Sequence, residues 1–500
     1  MDKATLAWTL FSLYLIATTG LALWGMRKTK DLASFAIGGG AMGPVLVGIT
    51  LSAAVASTAT FVINPGFVYA HGVSALVHFG VAAQGGVLVG LVVMSKGFRR
   101  HGNQTAALTL PHWIGARYDS PWMRTFFAVI NLALAISFVV LIIKGSALVM
   151  QFTLGTSYAV SVWLIVGFVF SYILLGGTYA HAFTNAFQGV MMCIVACTLV
   201  FSGAHLFGEG LFATIAEQDP NLVKVFNPAS PLYSNPWEVL ITPFIVGFGL
   251  VAQPHILTKS LYLKSDRDVN MYLVIAGLIG ATFAAILIVG LYARVVLPEA
   301  VAQDAVIATY VNTAFEMPWI GVCISVALLA AGMSTMDGIL VSASSIAGND
   351  LFLGALGHRL MPNSSEDEKQ KSALKASRWI LVVMGGVSVL LALDPPQFVG
   401  LFAQVGVYGV VAASVAPLAF GIFIPSLEKP EAFAAAISGV VIHLAHYTVA
   451  TWVQGGFINP SVTAAEGVLV SLVVLFGVRA WRRSTGRIGA ETSIPDQPSV

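Results

Sequence analysis

The sequence predicts an all-α membrane protein that crosses the bilayer about thirteen times, and three observations lead there. Of its 500 residues, 57% are hydrophobic and only 10% are charged, against roughly 25% charged in a soluble globular chain. Mean hydropathy is +0.84. The apolar residues also fall in runs of the length, about 20 residues, that a helix needs to span a hydrocarbon core. This composition excludes an ordinary soluble enzyme and makes the lipid bilayer the main surrounding partner. A net charge of +2 with pI near 8.3 gives no basic field for nucleic acid. Three cysteines, all inside apolar runs, supply neither a disulfide framework nor a metal pair. The chain reads as one membrane domain over 1–500, monomeric, with no organic cofactor.

The runs follow in order. The first, 5–26, is longer than a signal-peptide core and is followed by Arg27, Lys28 and Lys30, so it is expected to stay as an extra N-terminal anchor. The second, 43–70, begins at Gly43-Pro44 and ends in Asn64-Pro65-Gly66. Its middle is small and hydroxylated: Ser52, Ala53, Ala54, Ala56, Ser57, Thr58 and Thr60. Runs at 72–95 and 122–151 come next, the latter carrying Lys144. Runs 157–177 and 178–207 meet at Gly176-Gly177. The seventh, 236–256, contains Thr242-Pro243, Gly247-Phe248-Gly249 and Gln253-Pro254-His255. Six more lie at 271–297, 318–350, 376–394, 398–424, 431–453 and 461–481. The polar insert at 357–377 and the tail 482–500 read as solvated segments.

Charge fixes an orientation. With the N-terminus outside, 21 of the 25 basic residues fall in cytoplasmic segments, Lys259, Lys264 and Arg267 among them, as the positive-inside rule requires. The outer loops hold Glu209, Glu217, Asp219, Glu299, Asp304 and Glu316 instead. Lys144 is then the single basic residue within a span. The expected location is the plasma (inner) membrane, multi-pass, with the C-terminus cytoplasmic.

Glycine and proline inside a span demand a protein or ion environment for the backbone groups they release. The second and seventh runs are both interrupted, five helices apart. That pattern is expected of inverted-repeat transporters, whose paired broken helices hold solute and ion near the midplane. Residues 43–207 would form the first repeat, 236–424 the second, and 431–481 two added helices. Tight packing of small residues, or a channel, would also use such features. No glycine-rich phosphate loop with a lysine is present, which argues against ATP-driven transport.

Several stretches resemble the sodium/solute symporter family, which includes bacterial proline, pantothenate, acetate and sugar symporters. They are Ala36-Ile37-Gly38-Gly39-Gly40-Ala41-Met42-Gly43-Pro44, Thr109-Leu110-Pro111 with Gly115-Ala116-Arg117-Tyr118, Gly176-Gly177 ahead of Phe183-Thr184-Asn185-Ala186-Phe187-Gln188, Gln253-Pro254-His255, and Ala331-Gly332-Met333-Ser334-Thr335. The ordered set covers about residues 5–480. The resemblance implies sodium as coupling ion, held between the second and ninth helices by the carbonyls of Ala53, Ala56 and Ala331 and the hydroxyls of Ser334 and Thr335. Independently of the family, Ser and Thr on such a helix also commonly bond back to the preceding turn. The resemblance further points to Ser57, Thr58, Phe138 and Phe248 near the solute.

Two departures from the family pattern stand out. Many members carry an acidic residue where this chain has Asn185, and a small or hydroxylated one where it has Asp337. Asp337 lies three residues from Ser334, on the same helix face. The expectation is a second cation site whose carboxylate has moved from position 185 to Asp337; a solvated Asp near the inner vestibule is the alternative. Lys144 either attracts an anionic solute or extends its stem toward the outer interface. Gln253 and His255 are further solute candidates, while His78, His181, His443 and His446 are expected to be neutral and hydrogen-bonded.

The expected activity is sodium-coupled uptake of a small organic solute by alternating access, with no catalysis. A monocarboxylate or related organic anion is the first choice. Proline or another amino acid is the alternative, weakened because proline-type members carry an Asp where this chain has Val55. From other classes, a transporter-like sensor or a channel remains open.

Overall fold

The computed structural model describes residues 2–29, 32–40, 42–297, 301–396 and 398–486. Lys30, Ala41, Glu299 and the tail from Arg487, all used above, lie outside the described residues. The helices used below are α1 (Lys3–Met26), α2 (Pro44–Val55), α3 (Asn64–His71), α4 (Val73–Gln104), α5 (Leu110–Arg117), α6 (Pro121–Leu154), α7 (Tyr158–Ile173), α8 (Gly177–Phe207), α9 (Trp237–Leu250) and α10 (Pro254–Tyr262). They continue as α11 (Asp266–Val296), α12 (Val306–Ala314), α13 (Pro318–Gly357), α14 (Glu366–Leu393), α15 (Val399–Phe423), α16 (Lys429–Val453) and α17 (Pro460–Ser484). No strand occurs among the described residues.

The fold is all-α. Among the described residues, ten helices are long and apolar enough to cross a bilayer, and two bent pairs bring the number to as many as twelve. The expected count of thirteen is not reached on that measure, because run 157–177 corresponds to the shorter apolar helix α7. Helix starts follow local chemistry. Ser120 caps α6 ahead of Pro121, and Ser265 with Asp268 and Ser365 with Glu368 close reciprocal capping boxes at α11 and α14, satisfying N–H groups that have no partner within the helix.

The interior belongs to α13 and α15, whose apolar stretches are 83% and 78% buried. Helix α13 packs between α6 and α8, and α15 rests on α6, α16 and α17. The outer helices turn apolar side chains outward, with Leu278 69%, Leu390 72% and Val473 73% exposed. Only lipid makes such faces favourable. Close approach between α4 and α9 needs glycine: a Cβ on Gly247 would lie 2.1 Å from the Ala83 carbonyl, and one on Gly86 2.2 Å from that of Phe244.

Three of the family-like stretches have a structural account. Gly177 takes φ 61°, ψ −158°, a region essentially closed to residues with a Cβ, and so separates α7 from α8. Thr109 caps α5 and donates to Asp350 Oδ2 at 2.6 Å, while Arg124 Nε reaches Asp350 Oδ1 at 2.7 Å. Arg117 donates to the carbonyls of Gly421 and Ile424, each at 2.7 Å. It thereby satisfies carbonyls left open at the end of α15.

Candidate functional site

The helical ladder of α2 ends when the Ala56 N–H reaches the Ser52 carbonyl at 2.9 Å, and Ala56 itself is extended at φ −83°, ψ 93°. Helical structure resumes at Ala59, whose N–H is received by Ser57 Oγ at 3.0 Å. The run of small residues lets α13 and α8 close on this break, and a hydroxylated residue restarts the chain. The Ala53 carbonyl therefore faces a different helix: Ser334 Oγ donates to it at 2.8 Å and is equally 2.8 Å from the Ala331 carbonyl, and Thr335 Oγ1 is 3.5 Å away. Ser334 thus makes both the back-bond and the cross-helix contact. Ala53, Ala331, Ser334 and Thr335 are fully buried. Four of the five expected oxygens converge, all neutral, as suits a small hard cation that must also leave. Ala56 lies on the same broken turn, without a bond to that group among the described residues.

Asp337 is fully buried in α13, not in a solvated vestibule. It accepts from the Tyr172 hydroxyl and from Thr184 Oγ1, the latter at 3.2 Å. Asn185 Nδ2 donates to the Ser334 carbonyl at 3.1 Å, leaving its buried Oδ1 without a partner. Residue 185 and Asp337 thus flank one helix interface, as expected, although they do not bond each other.

Lys259, which the charge pattern places in a cytoplasmic segment, is fully buried. The chain bends by 60° between α9 and α10. Lys259 Nζ is 2.7 Å from His181 Nε2.

On the other side of the broken turn lies a cavity of about 170 Å³, lined by Ser52, Val55, Ala56 and Ser57 of that segment and by Phe138, Gln253 and His255. Three expected solute contacts do not line it. Thr58 faces Ser146 at 3.4 Å, because the non-helical residues Ala56 and Ser57 shift its phase. The backbone of Phe248 packs on Gly86 and Gly90, and its side chain joins an outer apolar groove with Phe244 and Val415. Lys144 Nζ pairs with Asp304 Oδ2 at 2.8 Å, so its charge is neutralised away from the cavity. Missed were Asn64, Gln84, Gln404 and Tyr408, which line the cavity and have no hydrogen-bond partner among the described residues. The last two had a legible signal, being i and i+4 on an otherwise apolar run. Among the described residues, no aspartate, glutamate, lysine or arginine lines the cavity. The remaining histidines are hydrogen-bonded: His78 to the Glu238 carbonyl, His443 to Thr463 and the Val405 carbonyl, and His446 to Glu466.

Comparison with known proteins gives consistent results. The sequence profile described as "SSF: Sodium:solute symporter family" matches residues 35–439. A sodium/pantothenate symporter from Haemophilus influenzae is 26% identical over 463 residues, covering 88% of this chain and 89% of its own. A sodium/proline symporter from Staphylococcus aureus is 23% identical, covering 97% and 94%. Among solved structures, an outward-open, substrate-bound Na+-coupled sialic acid symporter matches with a TM-score of 0.72 at 18% identity, over 94% of this chain and 97% of its own. The nucleobase-cation-symport-1 transporter Mhp1 in a closed conformation matches at 0.55 and 13% identity, over 93% and 97%. At these identities the two structures establish the fold.

Proposed function

The chain belongs to the sodium:solute symporter family, and from that premise we propose that it carries a hydroxyl- or amide-bearing organic acid inward together with sodium. The observation that carries this reading is the double use of one broken turn. The Ala53 carbonyl faces Ser334 and Thr335, while Ser52, Ala56 and Ser57 face the cavity. An ion bound on one side and a solute on the other then order the same few residues, which is what coupling requires. Sodium binds Ala53, Ala56, Ala331, Ser334 and Thr335. The N-terminus faces outward, with twenty basic residues remaining on the cytoplasmic side once Lys259 is set aside.

Size and lining argue for the substrate class. A space of about 170 Å³ corresponds to roughly a dozen water positions at about 10–15 Å³ each, far more than acetate or pyruvate fills. Carboxamides from Asn64, Gln84, Gln253 and Gln404 and the Tyr408 hydroxyl suit amide and hydroxyl groups. Pantothenate, the solute named for two relatives, is a monocarboxylate of this kind. Its carboxylate meets the positive end of the resumed helix after Ser57. Proline is the second reading, favoured by Gln253-Pro254-His255 in the wall. Against it, Val55 lines the cavity, so the ammonium of an amino acid finds no carboxylate there.

Uptake of labelled pantothenate, proline, pyruvate, lactate, acetate and a sugar into proteoliposomes, with an inward sodium gradient present or absent, tests this. Sodium-dependent accumulation of pantothenate is expected. Accumulation of acetate or pyruvate in its place would overturn the substrate class.

A further inference from the structure

Two opposite charges are enclosed beside the sodium ligands, and neither has an ion-pair partner within salt-bridge distance among the described residues. Asp337 takes hydrogen bonds only from Tyr172 and Thr184. Lys259 bonds His181 Nε2, with its ammonium 5.7 Å from the Tyr262 ring centroid. Both are fully buried. The two groups meet the same turn of α8, since His181, which bonds Lys259, and Thr184, which bonds Asp337, are three residues apart on one face. A Cβ on Gly338, the residue after Asp337, would lie 3.2 Å from His181 Cε1, so the imidazole faces Gly338, one residue along the helix from the aspartate.

A buried charge requires a counter-charge, and in membrane interiors that requirement is strict. Aspartate and ammonium together leave this compartment neutral. A sodium ion added beside Asp337 would give this buried place a net positive charge, whereas the same ion would be welcome if the ammonium were absent. An oxygen is also in place to receive one: Asn185 Oδ1 is buried and unpartnered between Ser334 and Asp337. We propose that the Lys259 ammonium, carried on α10, stands permanently in the electrostatic place of a second sodium ion, so that the carrier binds one sodium per cycle and not two. This deepens the reading of Ser334 and Thr335 as the sodium site, on which it rests for the identity of that one ion. Because α10 follows directly from the bend at Gln253-Pro254, the ammonium would also report movement of the broken seventh span to the ion sites.

The test is equilibrium binding of radioactive sodium to the purified full-length protein. Wild type should bind one sodium ion, and Lys259→Met should bind two. Lys259→Met combined with Asp337→Asn should return to one, and Lys259→Arg, which keeps the charge, should stay at one. Two ions bound to wild type would overturn the proposal without recourse to any variant, as would a Lys259→Met protein, still folded by circular dichroism, that gains no ion. In a Ser334→Ala background the Lys259→Met gain should persist. That arm separates the two claims: loss of the Ser334-dependent ion alone concerns the first site, and absence of the gain concerns Lys259.

Discussion

Replacing Ser334 by alanine removes one hydroxyl that lies 2.8 Å from each of two carbonyls, Ala53 and Ala331, in a fully buried place. Without sodium, the Ala53 carbonyl is left with Thr335 Oγ1 at 3.5 Å, a contact at the limit of hydrogen bonding. An acceptor stranded in this way costs about 1–3 kcal/mol. With sodium at the proposed site, the loss is one of the five proposed oxygen ligands. A hydrogen bond to a charged group contributes about 1.5–3 kcal/mol, and taking that range for the lost oxygen gives a roughly 10- to 150-fold weaker apparent sodium affinity as an upper bound, because sodium also relieves the stranded Ala53 carbonyl. Solute uptake measured against sodium concentration should therefore shift to higher sodium by up to that factor, with the maximal rate at saturating sodium largely retained. Ser334→Thr, which keeps the oxygen, should shift far less. An unchanged sodium dependence in Ser334→Ala would refute the placement of the ion.

Other perturbations separate the parts of the mechanism. Gln404→Leu and Tyr408→Phe remove unpartnered polar groups from the cavity wall; they should raise the solute concentration for half-maximal uptake several-fold and leave sodium binding unaltered, which paired titrations would check. Lys144→Gln breaks a pair with Asp304 that lies outside the cavity, so solute affinity should change less than twofold; a large loss would restore Lys144 as a solute contact. Gly177→Ala forces a Cβ into φ 61°, ψ −158° and within 2.5 Å of the Phe35 ring. The backbone cost alone is about 1–3 kcal/mol, and a lower melting temperature in detergent should report it.

What the sequence disclosed followed from local rules. Helical runs and the bend at Gln253-Pro254 are written in composition and in proline, whereas the break after Ala56 falls in a run of small and hydroxylated residues that holds neither glycine nor proline. Ser334 and Thr335 could be paired with Ala53 because the family resemblance supplied a contact between residues about 280 positions apart. The failures have separate causes. A helical phase cannot be carried across the break at Ala56 and Ser57, so Thr58, expected near the solute, faces Ser146 instead. Phe248 lies within the regular helix Thr242–Leu250 and belongs to the outer groove. Lys259, just beyond the bend at Gln253-Pro254, reads as loop in the sequence and is buried in the structure. Lys144 could not be read alone because its partner, Asp304, is 160 residues away. Gln404 and Tyr408 were legible: with Gly400, Ala403 and Val407 they form one helical face, and its two polar members mark the side turned to the cavity.

The shared broken turn makes a thermodynamic demand. If sodium strengthens solute binding by some factor, the solute must strengthen sodium binding by the same factor. The most direct measurement is the equilibrium affinity of the purified protein for the accumulated solute, with and without sodium, together with the reverse titration of sodium with and without solute. Two equal factors, each reduced by Ser334→Ala, are expected. Solute binding that is indifferent to sodium would contradict coupling through Ala53–Thr58.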